Sequence, residues 1–195
     1  MGANGSSQAG QGSMSLDCPP GRQEVERRAQ IISKFKVPEH YLNSQYDYSY
    51  ADNGGSTRYA RGGVEFFPPF GFDKLGLSTV KFSDESFMDK EGGWHVAYHG
   101  TYPEDVPAII AEGLKAKGGR LHPKHGNVHG DGIYCSPRPA VAQTFAGEKR
   151  IDNKDTQVLL MARVKPGAYK TPAANIWLVE NPDDIRCHSI IFHRS

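Results

Sequence analysis

Three short stretches hold the residues best suited to chemistry. Tyr98-His99-Gly100-Thr101 sets an imidazole at the end of an apolar alternation, followed at once by a residue with no side chain. Gly130-Asp131-Gly132-Ile133-Tyr134 places glycines ahead of an aromatic, and Phe145 follows that tyrosine by eleven residues. An imidazole can orient a hydroxyl or carry a proton near neutral pH, and glycine lets backbone N–H and C=O groups come close to a ligand. Taken one at a time, His99, Tyr134 and Phe145 are equally what a satisfied core histidine and two packing aromatics look like. A cluster of His122, His125 and His129, with Cys135 beyond it, raises the alternative of a metal. Those histidines fall in a Gly-, Pro- and Lys-containing loop, and no carboxylate or cysteine pair completes a tetrahedral set, so no metal site is expected. Arg120, His122, Lys124 and His125 read instead as a basic rim for a pyrophosphate or an acidic acceptor, or as a solvated loop.

The elements that must position these residues are short. Val25, Ala29, Ile32 and Phe35 fall at helical spacing over 22–36 and Pro38 stops the pattern, which predicts an amphipathic helix. Residues 41–59 are rich in Tyr, Ser, Asn and Gly without periodicity and read as an irregular connection; 61–72 carries Val64, Phe66, Phe67, Phe70 and Phe72 and reads as ordered loop on the core. Strands are expected at 78–82, 94–98, 132–135, 157–164 and 189–193, and short helices at 105–113, capped by Asp105 and closed by Gly113, and at 140–146. Many short strands with few short helices, and no βαβ alternation, make an α+β class.

Composition narrows the rest. A chain of 195 residues is one domain plus a tail, and 37% hydrophobic residues suffice for a core, while 22 Gly and 13 Pro imply many loops. Lys+Arg of 23 against Asp+Glu of 22 gives +1, so no global field draws it to nucleic acid or anionic lipid. Cys18, Cys135 and Cys187 are an odd set without a CxxC pair, which speaks against a disulfide framework. No run approaches the ~20 apolar residues of a membrane helix, and 1–16 has neither the basic start nor the apolar run of a signal peptide. A cytoplasmic or nuclear location and no membrane partner are the expectations. The expected organisation is a disordered tail at 1–21, a helix and aromatic-rich extension at 22–77 packed on the core, and a domain at 78–195.

The ordered series His99-Gly100-Thr101, a helix closing on Gly113-Leu114, Gly132-Ile133-Tyr134 and Phe145 resembles the NAD-binding core of the ADP-ribosyltransferase superfamily, in its diphtheria-toxin-like and poly(ADP-ribose)-polymerase-like branch. The resemblance covers 94–146 well and continues more loosely to the C-terminus. It implies two small packed, antiparallel-rich sheets around an NAD cleft. By the same resemblance, Tyr134 and Phe145 flank the flat nicotinamide cation, and the Gly100 backbone meets its carboxamide. His99 bonds a ribose hydroxyl, and Thr101 and Gly132 complete the cofactor-binding set. Active polymerase-like members begin their last strand with Glu; aligning 189–192 with that strand puts His188 there, with Glu148, Glu180, Asp183 and Asp184 as nearby carboxylate alternatives that spacing does not separate. An imidazole cannot lend negative charge to an oxocarbenium. Ala142 stands where the family places a hydroxyl on the carboxamide, a difference of about 1 kcal/mol.

The resemblance therefore implies a mono-ADP-ribosyltransferase with His99, Tyr134 and His188 as catalytic candidates, taking NAD as substrate and a macromolecular acceptor, protein rather than nucleic acid. The competing expectations are an inactive NAD-, ADP-ribose- or protein-binding module of the same fold and an NAD-dependent RNA 2'-phosphotransferase. Oligomeric state is left open.

Overall fold

The computed structural model describes residues 22–50, 59–116, 129–151 and 153–193. The expected tail at 1–21, and the basic-rim residues Arg120, His122, Lys124 and His125, lie outside the described residues. In chain order the helices and strands are α1 (Arg22–Lys34), β1 (Tyr48–Ser49), β2 (Tyr59–Arg61), β3 (Val64–Phe66), β4 (Phe72–Gly76), β5 (His95–Gly100), α2 (Val106–Glu112), β6 (Ile133–Cys135), α3 (Pro139–Gln143), β7 (Glu148–Ile151), β8 (Lys154–Val164), β9 (Lys170–Ala173), β10 (Ile176–Val179) and β11 (Ile185–His193).

Two sheets carry the architecture. The larger runs in the order β1-β4-β11-β8-β5, with β7 extending β8 as a hairpin, and the smaller runs β6-β10-β9. All pairs are antiparallel. Because side chains alternate along a strand, the large sheet offers two faces. Ala97, Leu160, Ala162, Ile190 and Leu75 form one core cluster with Ile133, Cys135, Trp177 and Val179 of the small sheet, with Ile31 of α1 and Phe35 just after it, and with Val106 and Ile110 of α2. Val96, Tyr98, Leu159, Met161 and Ile191 look the other way, onto Phe66, Phe72, Ala142 and Ala146.

Several elements differ from the sequence-based expectation for identifiable reasons. The aromatic stretch after Tyr59 is a β2–β3 hairpin, made possible by φ of +60° and +80° at Gly62 and Gly63, the backbone that a two-residue turn demands. Residues 78–82 turn away instead of forming a strand: the Phe82 N–H donates to the Thr79 carbonyl at 2.8 Å, and Val80 is 85% exposed. Asp105 does not cap α2 with its side chain; it already has helical dihedrals as the end of a 3-10 turn, Pro103–Asp105. Gly113 does close α2, with φ +86° and its N–H on the Ile109 carbonyl. Among the described residues Ile31 of α1 and Phe35 just past its end are buried, with Ala29 exposed. The terminal strand begins at Ile185 and not at 189. Nor does the extension before residue 78 stand apart: β4 is hydrogen-bonded to β11 over Phe72 to Gly76, and Leu75 and Leu77 belong to the shared core.

Candidate active site

β5 is an edge strand of the large sheet, and the two sheets touch along it. The Tyr98 N–H donates to the Ser136 carbonyl at 2.7 Å and the Ser136 N–H to the Tyr98 carbonyl at 3.0 Å. Tyr98 thus spends its backbone groups on the side of β5 away from β8. By the alternation of an antiparallel strand, the N–H and C=O of Gly100, two residues on, leave the same edge. They point to the place where a planar amide ligand can add itself to the sheet.

His99 faces the small sheet. Its Nδ1 lies 2.8 Å from the Tyr134 carbonyl oxygen, an acceptor only, so Nδ1 carries the proton and Nε2 is left with a lone pair. Burial pulls the His99 pKa below its ordinary value, partly opposed by that bond. The ring is therefore a neutral hydrogen-bond acceptor with a fixed tautomer, suited to hold a hydroxyl and not to protonate a leaving group.

Tyr134 lies at the centre of β6. Ile133 and Cys135 enter the core shared by the two sheets, so Tyr134 stands on the opposite, outer face, with Leu178 of β10 directly across. Its hydroxyl donates to the Gly130 carbonyl at 2.7 Å and accepts the His129 N–H at 3.1 Å, which pins the ring to the loop that enters β6. Gly132 is small because a Cβ there would overlap the Leu178 side chain.

After Cys135 the chain turns through Ser136, and α3 folds back under β5. Gly100 permits this: a Cβ at Gly100 would overlap the Ala142 carbonyl oxygen and press on the backbone of Phe145 and Ala146. The glycine that frees an edge for a ligand is also the seat of the segment carrying Phe145. Thr101 is buried and its carbonyl accepts the Gly147 N–H at 3.1 Å, closing the same corner. Ala142 is buried in the rear core cluster.

His188 is not part of this assembly. It sits in β11, two strands away from β5, at a β-bulge between Cys187 and Ser189. Its Nδ1 lies 2.9 Å from the Ser189 hydroxyl, and its buried Nε2 finds no hydrogen-bond partner among the described residues. Burial first, then the charges of Arg163 and Lys74, drive its pKa far below 6.5. Those two cations flank Met161 and Ile191, on the sheet face turned away from His99. The strand beside Tyr134 is β10, and its first residue, Ile176, shares Tyr134's face. β10 and β11 are both short apolar runs, and only their pairing shows which one borders the site. Glu180, past the end of β10, is paired with Lys170 at 2.6 Å. Cys135 and Cys187 are free, buried thiols with raised pKa values, hence inert at neutral pH.

No curated protein matches the chain. A family model does, and it is described as the poly(ADP-ribose) polymerase catalytic domain; the match runs over residues 70–189, from just before β4 into β11. That span contains His99, Gly100, Tyr134 and Phe145. The match covers more than half of the sequence, and by it the chain belongs to the poly(ADP-ribose) polymerase catalytic-domain family.

Proposed function

We propose that the chain is a mono-ADP-ribosyltransferase that binds NAD along the Gly100 edge and transfers a single ADP-ribose to a macromolecular acceptor. The observation that carries this reading is the bond from His99 Nδ1 to the Tyr134 carbonyl, since it prepares Nε2 to hold a ribose hydroxyl of the dinucleotide. Gly100 offers backbone groups to the nicotinamide carboxamide, and Tyr134 and Phe145 are the aromatic surfaces for its ring. Departure of nicotinamide leaves an oxocarbenium-like ribose that an acceptor nucleophile attacks, and orientation by the site supplies the rate.

The outer face of the small sheet supports one transfer and no elongation. Ile176 and Leu178 are the β10 residues on Tyr134's face, and neither can accept a proton from a ribose hydroxyl of a growing chain. The same aliphatic face favours a second reading, a module that binds NAD or ADP-ribose without cleaving it. Nicotinamide release from NAD by the purified chain, beside His99→Ala, separates the two. Release that disappears in the variant supports the transferase; NAD binding by calorimetry without release supports the module.

A further inference from the structure

We propose that Arg138 is the docking point for an acidic side chain of the acceptor polypeptide, and so a specificity determinant of the transfer step; this rests on the transferase reading above. Arg138 follows Ser136 by two residues and is exposed, yet its guanidinium is held on two sides. Its central carbon lies over the Phe67 ring, 3.9 Å from the centroid, and its Nε–H donates to Asn175 Oδ1 at 3.0 Å. Both supports are themselves anchored. The Phe67 carbonyl accepts the hydroxyl of the fully buried Tyr98 at 2.7 Å, and its N–H donates to the Pro137 carbonyl at 3.3 Å. Asn175 occupies the left-handed turn, φ +58°, that leads directly into Ile176.

This costly ordering serves no internal charge. Arg28 pairs with Asp47, Lys165 with Asp184 and Lys170 with Glu180, but among the described residues no carboxylate pairs with Arg138. A guanidinium stacked on one face and bonded through Nε still has both Nη groups to give, in the fork that matches a carboxylate. A solvated cation needs neither the stack nor the Asn175 bond.

Position selects the acceptor over NAD. The Tyr98–Ser136 bridge divides the seam between the sheets. Running antiparallel from it, Gly100 and Tyr134 lie to one side and Arg138 to the other, next to the turn that delivers Ile176. A polypeptide reaching the reactive ribose over Ile176 passes the guanidinium, whereas a nicotinamide on the Gly100 edge does not.

The test uses the full chain and two fluorescein-labelled twelve-residue peptides, one Glu-rich and one with Gln at the same positions. In fluorescence anisotropy, Arg138→Gln is expected to weaken binding of the Glu-rich peptide about tenfold, the scale of a lost charge-assisted pair, and to leave the Gln peptide unchanged. Arg138→Lys, which keeps the charge and loses the fork, gives an intermediate loss; it also carries the comparison should the Gln variant fail to fold. Equal affinity of wild type and variant for the Glu-rich peptide overturns the proposal. So does a rise in the KM for NAD during hydrolysis to nicotinamide, which would assign Arg138 to the dinucleotide. A wild-type chain that releases no nicotinamide yet loses Glu-peptide binding on substitution refutes the transferase reading and leaves the acidic docking point standing.

Discussion

His99 and His188 occupy strands of the same sheet, both are drawn below the usual histidine pKa by burial, and their situations are opposite. His99 is near the end of an edge strand. One nitrogen is satisfied by a backbone carbonyl, which leaves the other with its lone pair. His188 is hemmed in the middle of the sheet, in a bulge, on the face occupied by Lys74 and by Arg163. Arg163 is itself pulled down to about 10 by its burial and donates to the carbonyls of Trp94 and Met88 at 2.8 and 3.3 Å. The contrast teaches that residue type alone does not ready a histidine for a ligand. An edge position does, because it leaves one polar direction unspent.

The sharpest way to break this comparison is to remove each ring in turn. His99→Ala should lower nicotinamide release from NAD by at least about 10²-fold, the cost of a misplaced reactant. His188→Ala should leave the rate per folded molecule near wild type, as read by initial rates normalised to the folded fraction. A large catalytic loss in His188→Ala alone would reverse the assignment.

The shared glycine comes next in size. Gly100→Ala drives a methyl into the Ala142 carbonyl and the backbone before Ala146, neither of which can swing aside. A loss of about 1–3 kcal/mol of stability, typical of overpacking, should appear in urea melts together with loss of NAD binding.

Acid sharpens the comparison through stability. Folded His188 takes up its proton only well below pH 6.5, while the unfolded chain does so near 6.5. The unfolded state therefore holds more protons below that point, and stability falls as pH drops through it, with no effect above. At pH 5.5 such a histidine costs about 1.4 kcal/mol. The drop in urea midpoint between pH 7.5 and 5.5 should shrink in His188→Gln and shrink less in His99→Gln, since both residues contribute with the same sign.

The smallest expected effect tests the latch on Tyr134. Tyr134→Phe keeps the aromatic face and loses the bonds to Gly130 and His129. KM for NAD should rise a few-fold with kcat little changed, in steady-state assays.

Much of the site could be read from the chain because it is local. His99-Gly100-Thr101 closes β5, Gly132-Ile133-Tyr134 opens β6, and Phe145 follows within one turn and one short helix, so short chain segments bring His99 to the Tyr134 carbonyl and Gly100 to the Phe145 backbone. The Gly62-Gly63 hairpin was equally local, and its signal lay in the two glycines of the turn. What sequence order could not supply is the neighbour of Tyr134. β10 and β11 are similar apolar runs, and which of them borders β6 is decided by hydrogen bonds between strands more than forty residues apart in the chain. Burial on both sides of β11 also removes the alternation that would have shown which way His188 points. The amino-acid sequence thus determined the α+β class and the family. Only the tertiary structure decided that Ile176 and not His188 shares the face of Tyr134, that Gly100 is the seat of the segment carrying Phe145, and that Arg138 lies between Phe67 and Asn175. Each of these depends on contacts between distant segments, whose cost in chain entropy is met only when the whole sheet closes.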